Sequence, residues 1–183
     1  MCFSATASFI AGGSLTAAGI GVLRNAKARP RVAFAAIPLL FGIQQLVEGV
    51  VWISFGHPIV HAAAAHLYTL FSHVFWPFYL PLAVTLMETG PRRKRILTRF
   101  VFFGLAVSLY LMIFVVNGPV TVSVVQNCLA YQVPNPDSPL LLAAYLIATC
   151  VSCQISSHKL VRDRKSTRLN SSHIQKSRMP SSA

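Results

Sequence analysis

Apolar residues run along this chain in five long blocks, at approximately residues 4–23, 32–55, 62–88, 100–116 and 140–157, with short polar gaps between them. A helix needs about 20 apolar residues to cross a hydrocarbon core roughly 30 Å thick. The pattern therefore predicts an all-α fold, a polytopic transmembrane helical bundle with five spans. The gaps are not alike. Arg24, Lys27, Arg29 and Arg31 follow the first block, Arg92, Arg93, Lys94, Arg95 and Arg99 the third, and Lys159 and Arg162 the fifth, whereas the gaps after the second and fourth blocks hold no lysine or arginine. Basic loops stay cytoplasmic during insertion. The alternation predicts a multi-pass protein of the cell inner (plasma) membrane with its amino terminus outside, together with the GHPIVH gap and residues 117–139. No basic segment precedes the first block and arginines follow it, so it reads as a retained span and not a cleaved signal.

Details within the blocks refine this picture. Gly13, Ala17 and Gly21 recur at four-residue spacing, which predicts a face of the first helix that a neighbour approaches closely. Trp76, Pro77 and Pro81 fall inside the third block, where each proline removes a backbone donor and predicts a kink. The VPNPDSP stretch, residues 133–139, is too rich in proline for helix or central strand and reads as an ordered loop.

Composition agrees with a lipid solvent, since 54% of the residues are hydrophobic, 11% are charged and the mean hydropathy is +0.59. The formal charge of +12 would ordinarily raise nucleic-acid binding. Here it is divided among short loops between apolar blocks, which makes anionic lipid headgroups the expected partners beside the bilayer itself, with no nucleic acid. Part of the charge is also foreign in character. Residues 163–173, DRKSTRLNSSH, and 177–183, SRMPSSA, read codon for codon as a translated sequencing-library adapter on either side of its index. Residues 163–183 are therefore set apart as a non-native, disordered tail, and the natural protein is expected to be truncated at its C-terminus, near Arg162.

The strongest chemical signal is Glu48, because a carboxyl inside an apolar span is costly unless it is protonated, paired or facing water. Gln44 and Gln45 precede it by four and three residues and share its helical face, so the second span carries one polar stripe that must look inward. His66 and His73 stand seven residues apart on the third span, about two turns, and so nearly on one face. At roughly 1.5 Å per residue from the outer ends, Glu48 lies about 10 Å deep, His66 about 6 Å and His73 about 16 Å. The short connection makes the two spans antiparallel neighbours. Three readings stay open for this set: a buried hydrogen-bonded network that fixes packing, a proton or solute pathway, and a metal site of Glu48, His66 and His73 serving a membrane-embedded hydrolase. The last lacks any tight ligand spacing such as HExxH. No cofactor is implied.

The remaining candidates are weaker. Ser156, Ser157 and His158 close the fifth span, but adjacent helical positions point about 100° apart and do not pair a nucleophile with a base. Cys150 and Cys153 have CxxC spacing inside a span, where they read as small apolar residues. Cys2 and Cys128 both fall on the predicted outer side, where an oxidising compartment would permit a disulfide.

The segments MCFSATASF, PLLFGIQQLVEGVVW, FWPFYLPL and SSHKLV, met in that order, resemble an uncharacterised bacterial membrane family, one of the domains of unknown function whose members open with MCFSATASF. The resemblance covers residues 1–162. It implies a polytopic helical membrane protein and no assigned activity, substrate or cofactor. The functional expectation is a non-enzymatic role, transport or sensing of a small solute or proton through Glu48, Gln44, Gln45 and His73, with the metal-dependent hydrolase as runner-up.

Overall fold

The structure, a computed structural model, describes residues 4–26, 29–125, 128–133 and 139–155. Helix α1, Ala5–Asn25, starts at Ser4, whose hydroxyl accepts from the Ala7 amide in an N-cap. Two helices follow in near continuity, α2, Arg29–Ala35, and α3, Ile37–Ile53, and the third apolar block folds as α4, Pro58–Thr69, a π-helical segment, Leu70–Phe75, and α5, Trp76–Met87. Helix α6, Pro91–Asn117, comes next. Strands β1, Thr121–Val125, and β2, Cys128–Gln132, precede α7, Pro139–Leu146, a second π-helical segment, Ile147–Val151, and α8, Ser152–Ile155. Prolines stand in the first turn of α3, α4 and α6, where the missing N–H costs little.

Four helices are long and apolar enough to cross a membrane, Ala5–Asn25, Arg31–Ile53, Pro58–Met87 and Pro91–Asn117. The fifth block, expected as a span over residues 140–157, is a shorter apolar helix, Pro139–Ile155, within the described residues. The helices leave large apolar side chains on the outside: Ile10 is 65% exposed, Ile59 86%, Phe102 67% and Val116 67%. Soluble monomers rarely leave large apolar side chains so widely exposed.

Packing corrects one expectation. The stripe of Gly13, Ala17 and Gly21 is exposed, and a Cβ built on Gly13 or Gly21 would meet nothing within 4 Å. The contact face lies one residue over, where Ser8, Gly12 and Gly19 are buried. A Cβ on Gly12 would come within 2.8 Å of Leu46, and one on Gly19 would collide with the backbone of Leu39. From the opposite side, a Cβ on Gly42 would meet Thr16 and one on Gly49 would meet Phe9 at 2.8 Å. The contacts step along both helices in opposite directions, so α1 and α3 are antiparallel and almost touch backbone to backbone.

The expected kink in the third block takes the form of the π-helical segment. Pro77 has no N–H to offer the preceding turn, and the chain absorbs this by widening its helix over Leu70–Phe75. The carbonyl of Ser72 takes a hydrogen bond from the Tyr145 hydroxyl on α7 instead, at 2.7 Å. Removing that hydroxyl in Tyr145→Phe leaves the carbonyl short of a donor, and thermal unfolding in detergent should show a loss of about 1 to 3 kcal/mol. Gly104 fits this region in the same way. A side chain there would run into the carbonyl oxygen of Pro77, which Pro81 cannot bond one turn later.

A second correction concerns fold class. Where an all-α fold was expected, the outer gap contains a two-stranded antiparallel sheet in which Val122 pairs with Tyr131 and Val124 with Leu129. Thr121–Val125 is rich in β-branched residues, which pack well on a pleated surface. The fold is thus mainly helical with a small hairpin. Of the predicted 133–139 loop, residues 134–138 lie outside the described residues, as do Ser156, Ser157, His158 and the adapter-like 163–183.

Candidate functional site

Helix α3 carries the polar stripe into the interior. Glu48 is 0% exposed, Gln44 2% and Gln45 7%, so the inward orientation expected from their spacing is what the structure shows. The three diverge in what they touch. Gln44 accepts a hydrogen bond from the Trp76 indole at 2.6 Å, and the Trp76 ring stacks on Phe41 at a centroid distance of 4.1 Å. This ties α3 to α5 immediately after the π-helical segment. Gln45 lies close enough to Glu48 to interact with it, but its Oε1 has no partner among the described residues. Glu48 itself is the most exceptional group. Neither Oε1 nor Oε2 has a hydrogen-bond partner among the described residues, and both are sealed from water-sized space.

The histidines do not gather around it. His66 turns back on its own helix, with Nδ1 2.8 Å from the Ala62 carbonyl oxygen, and His73 sits in the π-helical segment with Nδ1 2.7 Å from the Ser72 hydroxyl. Among the described residues no three His, Cys, Asp or Glu side chains lie close enough to hold a metal ion. The reason is helical phase. Both histidines occupy partly exposed faces, whereas the buried face of α4 presents Ala64, Ala65, Tyr68 and Thr69.

Aromatic residues fill the place expected for imidazoles. Tyr68 is 3% exposed and interacts with both Gln44 and Glu48. Its ring stacks on Tyr131 of β2, centroids 4.4 Å apart and planes 17° from parallel. The alternation of the strand points Leu129 and Tyr131 to the same side. Leu129, 2% exposed, packs with Val51 and Ala64, so the hairpin closes one end of the site. Burial, and after it the nearby Tyr68 and Glu48, push the Tyr131 phenol well above its ordinary pKa, which keeps it a neutral hydroxyl. That hydroxyl and the Trp52 indole N–H, one turn beyond Glu48, are both unpartnered among the described residues. Tyr68 was within reach of the depth reckoning, since about 10 Å falls between His66 and His73, close to residue 68. Tyr131 carried no such signal, because the stretch before residue 133 was assigned no element beyond its place in the outer gap.

Room and charge are separated. A cleft of about 360 Å³ opens between the π-helical segment and α6, lined by Phe71, Phe75, Phe78, Leu105 and Met112, with the hydroxyl of buried Ser108, unpartnered among the described residues, in its wall. The carboxyl lies elsewhere.

Cys128 is disulfide-bonded, and Cys150 and Cys153 are free thiols. Cys2, named with Cys128 from the sequence, lies outside the described residues.

The profile of a family of unknown function, DUF6629, matches residues 1–164. The chain belongs to that family. The match spans every described element of the DUF6629 fold, including the α3 stripe and the hairpin. No curated protein and no solved structure matches the chain.

Proposed function

We propose that the protein is a polytopic membrane protein that binds a small solute or proton at Glu48, with Gln44, Gln45, Tyr68 and Tyr131 around it, and that this binding serves transport or sensing. One observation carries the reading: a carboxyl fully buried with both oxygens unpartnered among the described residues. An anion so placed costs several kcal/mol or more, and membrane proteins keep such groups where they bind or relay something. The apolar exterior and four span-length helices supply the membrane setting. Basic residues on alternate gaps orient the amino terminus and the hairpin outward. The disulfide at Cys128 fits that orientation, because disulfides persist on oxidising sides of membranes. His73 and His66 are left out of the proposed site, and a hydrolytic metal centre loses the ligands it needed.

Two experiments follow. In sealed proteoliposomes, the wild-type protein should support solute-dependent or pH-gradient-driven proton movement and Glu48→Gln should lose it; equal fluxes in the two would rule out Glu48 as the binding group. For topology, non-reducing peptide mapping should join Cys128 to Cys2 while Cys150 and Cys153 alkylate without reductant. Recovery of Cys2 as a free thiol would break the link between the hairpin and the amino terminus.

A further inference from the structure

We infer that the ligand of the buried site is the proton itself, carried on the Glu48 carboxyl and exchanged from the hairpin side through the Tyr131 hydroxyl. The inference rests on the proposed role of Glu48 as a binding group and narrows its ligand to the one species that needs no volume.

Three observations lead there. First, space is missing where the charge is. Both Glu48 oxygens, Gln45 Oε1, Trp52 Nε1 and the Tyr131 hydroxyl are closed to water-sized space, while the 360 Å³ cleft between the π-helical segment and α6 has no titratable side chain in its lining. A metal ion, an amine or a sugar would have to displace packed helices to reach the carboxyl.

Second, the side chains facing Glu48 can pass a proton but cannot hold a fixed counter-charge. Among the described residues they are Gln45 on α3, Tyr68 on α4 and Tyr131 on β2, with Gln44 set between Tyr68 and Trp76 of α5. Ser8, buried on helix α1, does not titrate. His66 and His73 are committed to Ala62 and Ser72.

Third, the hairpin packs a hydroxyl-bearing ring against the helix that carries the carboxyl. A phenol hydroxyl both donates and accepts. Tyr131 stays neutral, its hydroxyl is unpartnered among the described residues, and it stands in a hairpin whose β1 strand is mostly exposed. Tyr131 and Glu48 share no hydrogen bond at rest, so exchange needs a movement of the hairpin; in it the Tyr131 O–H gives its proton to a Glu48 carboxylate oxygen while the phenol oxygen takes a replacement proton from hydronium entering with water. No net charge is left on the phenol.

The test is infrared spectroscopy of the full chain in lipid vesicles, with a pH titration and a transfer into D₂O. A carbonyl-stretch band of a protonated carboxylic acid should be present in wild type, absent in Glu48→Gln, and lost as pH rises. Dicyclohexylcarbodiimide, which reacts with protonated carboxyls in apolar surroundings, should modify Glu48 with the same pH dependence. Tyr131→Phe keeps the ring and its stack on Tyr68; it should retain the band but exchange to deuterium severalfold more slowly. The inference is overturned if the Glu48 band is missing throughout the pH range of folding, if it never titrates, or if Tyr131→Phe exchanges at the wild-type rate. Should the band be missing while Glu48→Gln still abolishes solute-driven flux, the binding site stands with a larger ligand. Loss of neither band nor flux would remove both readings.

Discussion

Gly19→Leu is expected to unfold the α1–α3 pair with a loss of about 3 kcal/mol or more, while Gly21→Leu on the same helix stays within about 0.5 kcal/mol of wild type. The asymmetry follows from what each new side chain would meet. At Gly19 the first added carbon already collides with the backbone of Leu39, and backbone cannot turn aside as a side chain can. At Gly21 nothing lies within 4 Å. Where lipid and core are equally apolar, helix association depends on close van der Waals packing, so separating two helices by the width of a side chain removes much of what holds them together. Gly104→Leu should behave like Gly19→Leu, because its side chain would meet the Pro77 carbonyl. Reversible unfolding in mixed micelles, compared across the three variants, measures this. Equal losses at Gly19 and Gly21 would show that α1 packs through a different face.

Glu48→Leu should stabilise the protein by about 1 to 3 kcal/mol and abolish its proton or solute response. A buried polar group without a partner costs its full desolvation, and leucine fills a similar volume without that cost. A residue kept for packing shows the opposite sign, because removing one member of a satisfied network strands the others. The sign of the change therefore separates a functional carboxyl from the structural network that the sequence left open. A lower unfolding midpoint in Glu48→Leu, with the response intact, would establish the network. Natural proteins commonly give up stability at the sites where they work.

Much of this was legible in the amino-acid order. The five apolar blocks marked the helices, and the i, i+1, i+4 placement of Gln44, Gln45 and Glu48 fixed an inward stripe because a carboxyl cannot face hydrocarbon at low cost. The rest depended on phase and pairing. Gly12 and Gly13 are neighbours, so small size alone could not choose between the two faces of α1; Leu39, Gly42 and Leu46 on α3 make that choice. Histidines drew attention as titratable groups, yet their positions fall on the partly exposed side of the third block, and the buried side at the depth of Glu48 holds a tyrosine. The hairpin lay in a gap left without an assigned element before residue 133, although Thr121–Val125 carries the β-branched composition of a strand. Its partner β2 brings in Tyr131, a contact that no local pattern on α3 or α4 announces.

The central claim is that α3 sits in lipid with Glu48 turned inward, and a nitroxide scan of residues 41–53 in bilayers tests it most directly. Collision with oxygen, which concentrates in hydrocarbon, should peak at Phe41, Ile43 and Ile53 and fall to minima at Gln44, Gln45, Glu48 and Gly49. A maximum at position 48, or fast collision with a water-soluble nickel complex along the whole helix, would contradict it.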